Sequence, residues 1–173
     1  MLTGIDYTDD EWNCSIGHEP IRDLPPADRL LLHRHWMWAN QQREAFDRLL
    51  QNPSLDFPKP GPLMMATREM GFMFVWYGLL WSVIEACVGP RGRGLDIRGP
   101  FRSDIDKMSD LLRRCRNAVM HVPGPGELLD ARIEKLVSEP DAVMLIRRIH
   151  RGFGRMFLEA FKRDIASDTQ QAG

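Results

Sequence analysis

Six consecutive residues, Arg116-Asn117-Ala118-Val119-Met120-His121, bring a guanidinium, a carboxamide and an imidazole together near the end of an apolar-patterned stretch. Histidine titrates close to neutrality, so it can take a proton from a 2′-hydroxyl or deliver one to a leaving oxygen. An arginine fork matches phosphate oxygens and stabilises charge that grows on them. Asparagine can orient the imidazole or a ribose. This set suits cleavage of a ribose–phosphate linkage, because an internal 2′-hydroxyl nucleophile removes the need for a bound water. No obvious carboxylate cluster accompanies it, so neither a two-metal centre nor another cofactor is expected.

Helical spacing constrains how these groups can meet. At about 100° per residue, Ile105, Met108, Leu111, Leu112, Cys115, Val119 and Val122 share one apolar sector. Asp110, Arg114, Asn117 and His121 lie opposite, and Arg116 sits at the edge of the apolar sector. On a regular helix Arg116 and His121 are about 140° apart, so one helix does not bring both to one phosphate. Either the helix loosens before Pro123, or a two-fold dimer sets two copies of the segment side by side. A purely structural account also fits. Arg116 would pair with Glu85 or another acid, His121 would interact with the helix C-terminus, and Asp110 with Arg114 would form a surface pair.

The pattern Arg116-Asn117-x-x-x-His121 resembles the R-x(4-6)-H signature of the HEPN superfamily (higher eukaryotes and prokaryotes nucleotide-binding), in which a polar residue commonly follows the arginine. The resemblance implies a helical bundle that dimerises and, in many members, a metal-independent endoribonuclease of toxin–antitoxin, phage-defence or CRISPR systems. It would make Arg116, Asn117 and His121 the catalytic set in a composite cleft between protomers, with RNA as substrate and an antitoxin protein as a further partner. An acidic residue near the end of the preceding helix is frequent in the family, and Glu85 in Trp81-Ser82-Val83-Ile84-Glu85 corresponds to it; Arg114 and Asp110 would support the site. Other members are non-catalytic modules that bind nucleotide, RNA or protein, and that alternative stays open.

The elements that must carry these residues read as helices. An irregular arm is expected over 1–24, with Trp12 and Ile16 packing on the domain. Leu24-Pro25-Pro26-Ala27-Asp28 starts a helix that ends at Asn52-Pro53. A second helix spans about Pro62 to Val88 and stops at the Gly/Arg loop from Gly89 to Gly94, which lacks the order of a phosphate-binding loop. A third begins near Ser103, where Ser103 and Asp106 form a weak capping box, and ends before Pro123. A short helix over Glu127 to Glu139 and a last one from Pro140 to about Ile165 follow, with Gly152 and Gly154 permitting close packing or a bend. Residues 167–173 read as a disordered tail. The expectation is an all-α, up-and-down bundle of four to five helices over 25–166.

Composition is that of an ordinary globular chain: 173 residues, 43% hydrophobic and 27% charged. The net charge of -1 hides an uneven distribution, with -5 over residues 1–30 and +4 over both 91–121 and 141–163. Such segments form either a basic face or simply solvated helix surfaces. Cys14, Cys87 and Cys115 are far apart and odd in number, which argues for a reducing compartment and against a disulfide framework. The acidic N-terminus lacks a signal-peptide pattern. Gly71–Gly89 carries a single charge, Glu85, over nineteen residues, and is read as a buried central helix rather than a membrane span. A cytoplasmic location follows. The spacing of His33 and His35 puts them on different faces and argues against a metal site. His150, among Arg147, Arg148 and Arg151, reads as a surface residue. Cys115 and the aromatic cluster from Phe72 to Trp81, with Met64, Met65, Met70 and Met73, read as packing groups.

Overall fold

A computed structural model of the chain describes residues 6–15, 21, 24–51, 68–120 and 141–171. Over these residues it contains five helices and no strand: α1 Asp9–Ser15, α2 Pro26–Gln51, α3 Arg68–Val88, α4 Gly99–Met120 and α5 Ala142–Gln171. The chain is an all-α helical bundle, as its apolar periodicity predicts.

The four long helices form a ring in which α2 meets α3, α3 meets α4, α4 meets α5 and α5 returns to α2. Cross-helix pairs give their directions. Arg29 at the start of α2 binds Asp164 near the end of α5, whereas Asp47 near the end of α2 binds Arg147 near the start of α5. The two helices are therefore antiparallel. Asp104–Arg148 and Phe101–Phe153 set the same relation between α4 and α5. This is the up-and-down arrangement that short connections favour.

Each helix buries the stripe that its spacing dictates. On α2, Leu32, Ala39 and Phe46 recur every seven residues and are buried, whereas Leu31, Trp38 and Leu50 face outward. On α4 the expected sector is buried from Ile105 to Cys115, but Val119 is exposed, because the sector turns away from the bundle at the helix end. α3 is apolar almost all round and buries Met73, Trp76, Tyr77, Leu80, Ile84 and Cys87. Met70–Val88 is long and apolar enough to cross a membrane, yet half of that window is buried inside the bundle, as expected of a central helix.

Two glycines of α5 set its distance from its neighbours. A Cβ on Gly152 would lie 2.7 Å from the Phe101 ring, and one on Gly154 would lie 2.6 Å from Trp36. They serve close packing of the bundle.

Several boundaries differ from the sequence reading. The arm expected to be irregular contains α1, started by a reciprocal capping box: Thr8 N–H donates to Glu11 Oε2 at 2.9 Å and Glu11 N–H donates to Thr8 Oγ1 at 3.2 Å. α4 starts at Gly99 rather than near Ser103. Its cap comes from elsewhere in the chain, since Ser15 Oγ accepts the Phe101 N–H at 3.1 Å, and Gly99 supplies the left-handed φ of +57°. Ser103–Asp106 is thus not the cap; Asp106 instead pairs with Arg102, four residues earlier. α5 continues to Gln171, so most of the expected tail is helical. The start of the second predicted helix (62–67), the short helix over 127–139 and Ile16 lie outside the described residues, as do Met64, Met65 and Pro140.

Candidate functional site

The basic edge of α4 is positioned by α3. Gly78 lets the two backbones approach closely, for a Cβ there would stand 3.1 Å from the Arg116 Cα. One turn further along α3, Ser82 Oγ donates to the Gly78 carbonyl at 3.1 Å. The next turn presents Glu85. Arg116 reaches across so that its Nη1 lies 2.6 Å from Glu85 Oε2. Its Nε and Nη2 donate to the carboxamide Oδ1 of Asn117 at 3.3 and 3.2 Å. The Arg116 side chain is 29% exposed and that of Glu85 is 45% exposed, so the pair sits at the surface and is screened by water.

The Gly/Arg loop finishes the α3 end. Gly89 N–H donates to Glu85 O, Arg93 N–H to Ala86 O and Leu95 N–H to Cys87 O, which satisfies carbonyls that a helix end otherwise leaves bare. Gly92 packs so tightly that a Cβ would fall 2.6 Å from the Glu85 carbonyl oxygen. Arg93 turns back to Asp28 at 2.8 Å. Beside Glu85 the loop encloses a cavity of about 550 Å³ lined by Ser82, Glu85, Ala86, Pro90 and Arg91. Arg91 makes no ion pair among the described residues and is exposed at the rim.

The structure thus brings together Arg116, Asn117 and Glu85 of the residues singled out by sequence. Asp110 lies further back on α4 and binds Arg113 at 2.8 Å and Arg114 at 2.7 Å, which holds its carboxyl below the usual range. This cluster does not touch Arg116. α4 keeps its helical backbone through Met120, so Arg116 and Asn117 are on regular helix and any loosening begins after Met120. His121 lies outside the described residues.

The remaining candidates resolve into packing, with one correction. His150 is not a surface residue: it is 1% exposed, beneath the α2–α5 junction. Trp36 stacks on its ring at 5.1 Å, Trp76 Nε1 donates to its Nδ1 at 3.3 Å, and its Nε2 meets Asn40 Oδ1 at 3.2 Å. Those contacts fix the neutral tautomer with the proton on Nε2. Burial, helped by Arg43, Arg147 and Arg151, pushes its pKa down to about 3. The signal that could have placed it inside is the polar spacing Asn40, Arg43, Asp47 on α2, three and four apart, which needs partners on a neighbouring helix. Cys115 is buried and desolvation pushes its thiol up to about 12, the opposite of activation. His33 packs on Phe157 and Phe161, while His35 lies beside Trp38. Among the described residues no three His, Cys, Asp or Glu side chains converge on a metal-sized site.

Comparison with protein-family models, with curated proteins and with solved structures finds no match to the chain.

Proposed function

We propose that the chain is a metal-independent endoribonuclease that acts as a homodimer, of the HEPN type that its Arg116-Asn117-x-x-x-His121 segment resembles. The observation that carries this reading is the Arg116–Glu85–Asn117 constellation at the surface, whose Glu85 lines a cavity. A lone Arg-x4-His pattern arises often by chance, but here the guanidinium is anchored from two sides and stands partly open to water, and its partner Glu85 lines a cavity that also carries the exposed Arg91. Arg116 holds the scissile phosphate, His121 moves the proton of the 2′-hydroxyl or leaving oxygen, and Asn117 orients them. On this reading each site draws Arg116 from one protomer and His121 from the other, because continued regular helix would set them about 140° apart. Such an enzyme would work in the cytoplasm, as a toxin restrained by an antitoxin protein or as a defence component.

Cleavage of single-stranded RNA in excess EDTA, leaving 2′,3′-cyclic phosphate ends, is the expected activity, and His121→Ala should abolish it with the fold intact. Complementation tests the shared site. Arg116→Ala and His121→Ala are each inactive, but a mixed dimer holds one intact site, so an equimolar mixture should recover roughly a quarter of the wild-type rate by random assortment. No cleavage by the wild-type chain in EDTA ends the ribonuclease reading; cleavage without complementation ends the composite site.

One observation favours a second reading, a non-catalytic module that binds nucleotide, RNA or a protein partner. Arg116 already has a carboxylate partner in Glu85, as a purely structural arginine would. On that reading His121→Ala leaves binding unchanged and no turnover is seen under any condition.

A further inference from the structure

A second cleft, sharing no residue with the cavity beside Glu85, opens where the segment around α1 meets α2 and α5. It encloses about 620 Å³, within the range of small-molecule sites. Its charged lining is unbalanced: Arg43, Arg151 and Arg155 face it against the single acid Asp6.

The three arginines are held in place without being used up. Arg43 gives Nε and Nη2 protons to Asn40 Oδ1 and an Nη1 proton to Asp47, with Glu44 Oε1 3.6 Å from Nη2, and the second Nη1 proton remains. Asn40 in turn is fixed from below by buried His150, so this guanidinium stands on a rigid polar platform. Arg155 lies over the Trp12 ring at 4.8 Å and binds Glu159 and Asp9 through Nε and Nη2, leaving Nη1 unengaged. Arg151 has one long contact, 3.4 Å to Asp6. The acids opposite Arg151 and Arg155 are weak competitors: Asp6 is 64% and Asp9 84% exposed, and pairs of that kind are screened and readily exchanged.

Between the cations the wall is apolar and low. Gly152 and Gly154 present bare backbone, the Trp36 indole edge lies beside them, and Leu158 offers an apolar side chain that is 53% exposed. The cleft therefore combines forked donors from two helices with a shallow apolar shelf. Arginine forks suit tetrahedral phosphate oxygens, and an incoming phosphate would exchange with the exposed acids Asp6 and Asp9. We infer that this cleft binds a terminal phosphate monoester attached to a flat apolar body, with the phosphate between Arg43, Arg151 and Arg155 and the body against Leu158 and Trp36. A free nucleoside monophosphate and the 5′-phosphorylated end of an oligonucleotide both present that chemistry.

Titration of the full-length His121→Ala chain, followed by tryptophan fluorescence and calorimetry, tests the site without consuming RNA. The probes are a nucleoside 5′-monophosphate, the matching nucleoside, inorganic phosphate, and one oligonucleotide with either a 5′-phosphate or a 5′-hydroxyl end. The monophosphate should bind saturably and more tightly than nucleoside or phosphate alone, and more weakly as salt rises. Arg151→Glu and Leu158→Asp, both at exposed positions, should each weaken it by about tenfold or more with unchanged Tm. If only the phosphorylated oligonucleotide binds, the ligand is an RNA end; equal binding of both oligonucleotides, or binding of no phosphate ester at millimolar concentration, overturns the site. Binding that both substitutions leave untouched overturns it as well. Loss of this site leaves the Arg116 reading standing, since the EDTA cleavage assay reads that one separately.

Discussion

Acid should destabilise this bundle through one buried histidine. In the folded chain His150 keeps its proton-free Nδ1 on Trp76, burial and the facing Arg43, Arg147 and Arg151 outweigh the opposing Asp47, and its pKa falls from about 6.5 to about 3. Above pH 6.5 the ring is neutral in folded and unfolded chain alike, and it adds no pH dependence. Below 6.5 the unfolded chain takes up a proton that the folded chain refuses until about pH 3. Stability is therefore lost across that window at about 1.4 kcal/mol per pH unit. From pH 6.5 to 4.5 the loss is about 2 kcal/mol, or roughly 4–8 °C in Tm for a chain of this size. Urea unfolding midpoints measured at both pH values, for wild type and His150→Gln, isolate the effect. Glutamine cannot charge, whereas the carboxylates and His33 titrate in both proteins, so the difference between the two pH slopes belongs to His150. Parallel slopes would refute the assignment of a buried neutral ring.

Three further outcomes follow from the packing. Gly78→Val should cost about 1–3 kcal/mol by pushing α4 off α3 at Arg116, while Gly71→Ala, where no atom lies within 4 Å, should gain about 0.5–1 kcal/mol; thermal melts of the two variants compare them. Ser15→Ala leaves the buried Phe101 N–H without its acceptor and should cost about 1–3 kcal/mol, read by urea denaturation with Thr8→Ala, a milder cap loss at the exposed end of α1, beside it. Arg116→Lys keeps the charge and loses the fork, so it should retain the Tm but lower RNA cleavage in EDTA by at least about tenfold; full activity would mean that Arg116 does not grip phosphate.

The long elements were legible because each carries recurring apolar positions: Ile105 to Cys115 on α4 are read from spacing alone and are buried as read, whereas on α2, where Leu31, Trp38 and Leu50 recur at helical spacing beside Leu32, Ala39 and Phe46, only the latter three are buried. The ends were less legible. α4 draws its cap from Ser15, far away in sequence, and the local signal, Pro100 in the first turn, was read as part of the preceding loop, whereas Thr8-x-x-Glu11 was a local signal that the short, otherwise aperiodic arm obscured. For the candidate site, helical geometry located Arg116 at the edge of the core, while Glu85 entered only as one candidate acid partner and through the family resemblance. What spacing could not supply is the third dimension. The Gly78 contact, the cavity at Ser82 and Arg91, and the burial of His150 all depend on which helix lies alongside, and one-dimensional periodicity says only which face is covered. His150 shows the difference: flanked by arginines in sequence, it sits on the face of α5 that turns inward, while Arg151 turns out.

An arginine that already owns a carboxylate can still serve a phosphate, and the way Arg116 divides its donors explains how. Glu85 engages Nη1, the strong and short contact at 2.6 Å. The paired edge formed by Nε and Nη2, the one that matches two phosphate oxygens, is occupied only by the neutral Asn117 oxygen at 3.3 and 3.2 Å, at the long limit for such bonds. On the proposed reading a phosphate replaces that carboxamide and leaves Glu85 in place. Two bonds to an anionic phosphate, each worth about 1.5–3 kcal/mol, then displace contacts to an uncharged amide oxygen that are weakened by their length. Glu85 restricts the guanidinium to one rotation, so less side-chain entropy is lost when the phosphate arrives. The released Asn117 carboxamide becomes free to bond the ribose or the imidazole, which ties its position directly after the arginine to a role in the reaction. The ion pair that a structural account treats as an end state is, in this arrangement, the hinge pin of the binding fork.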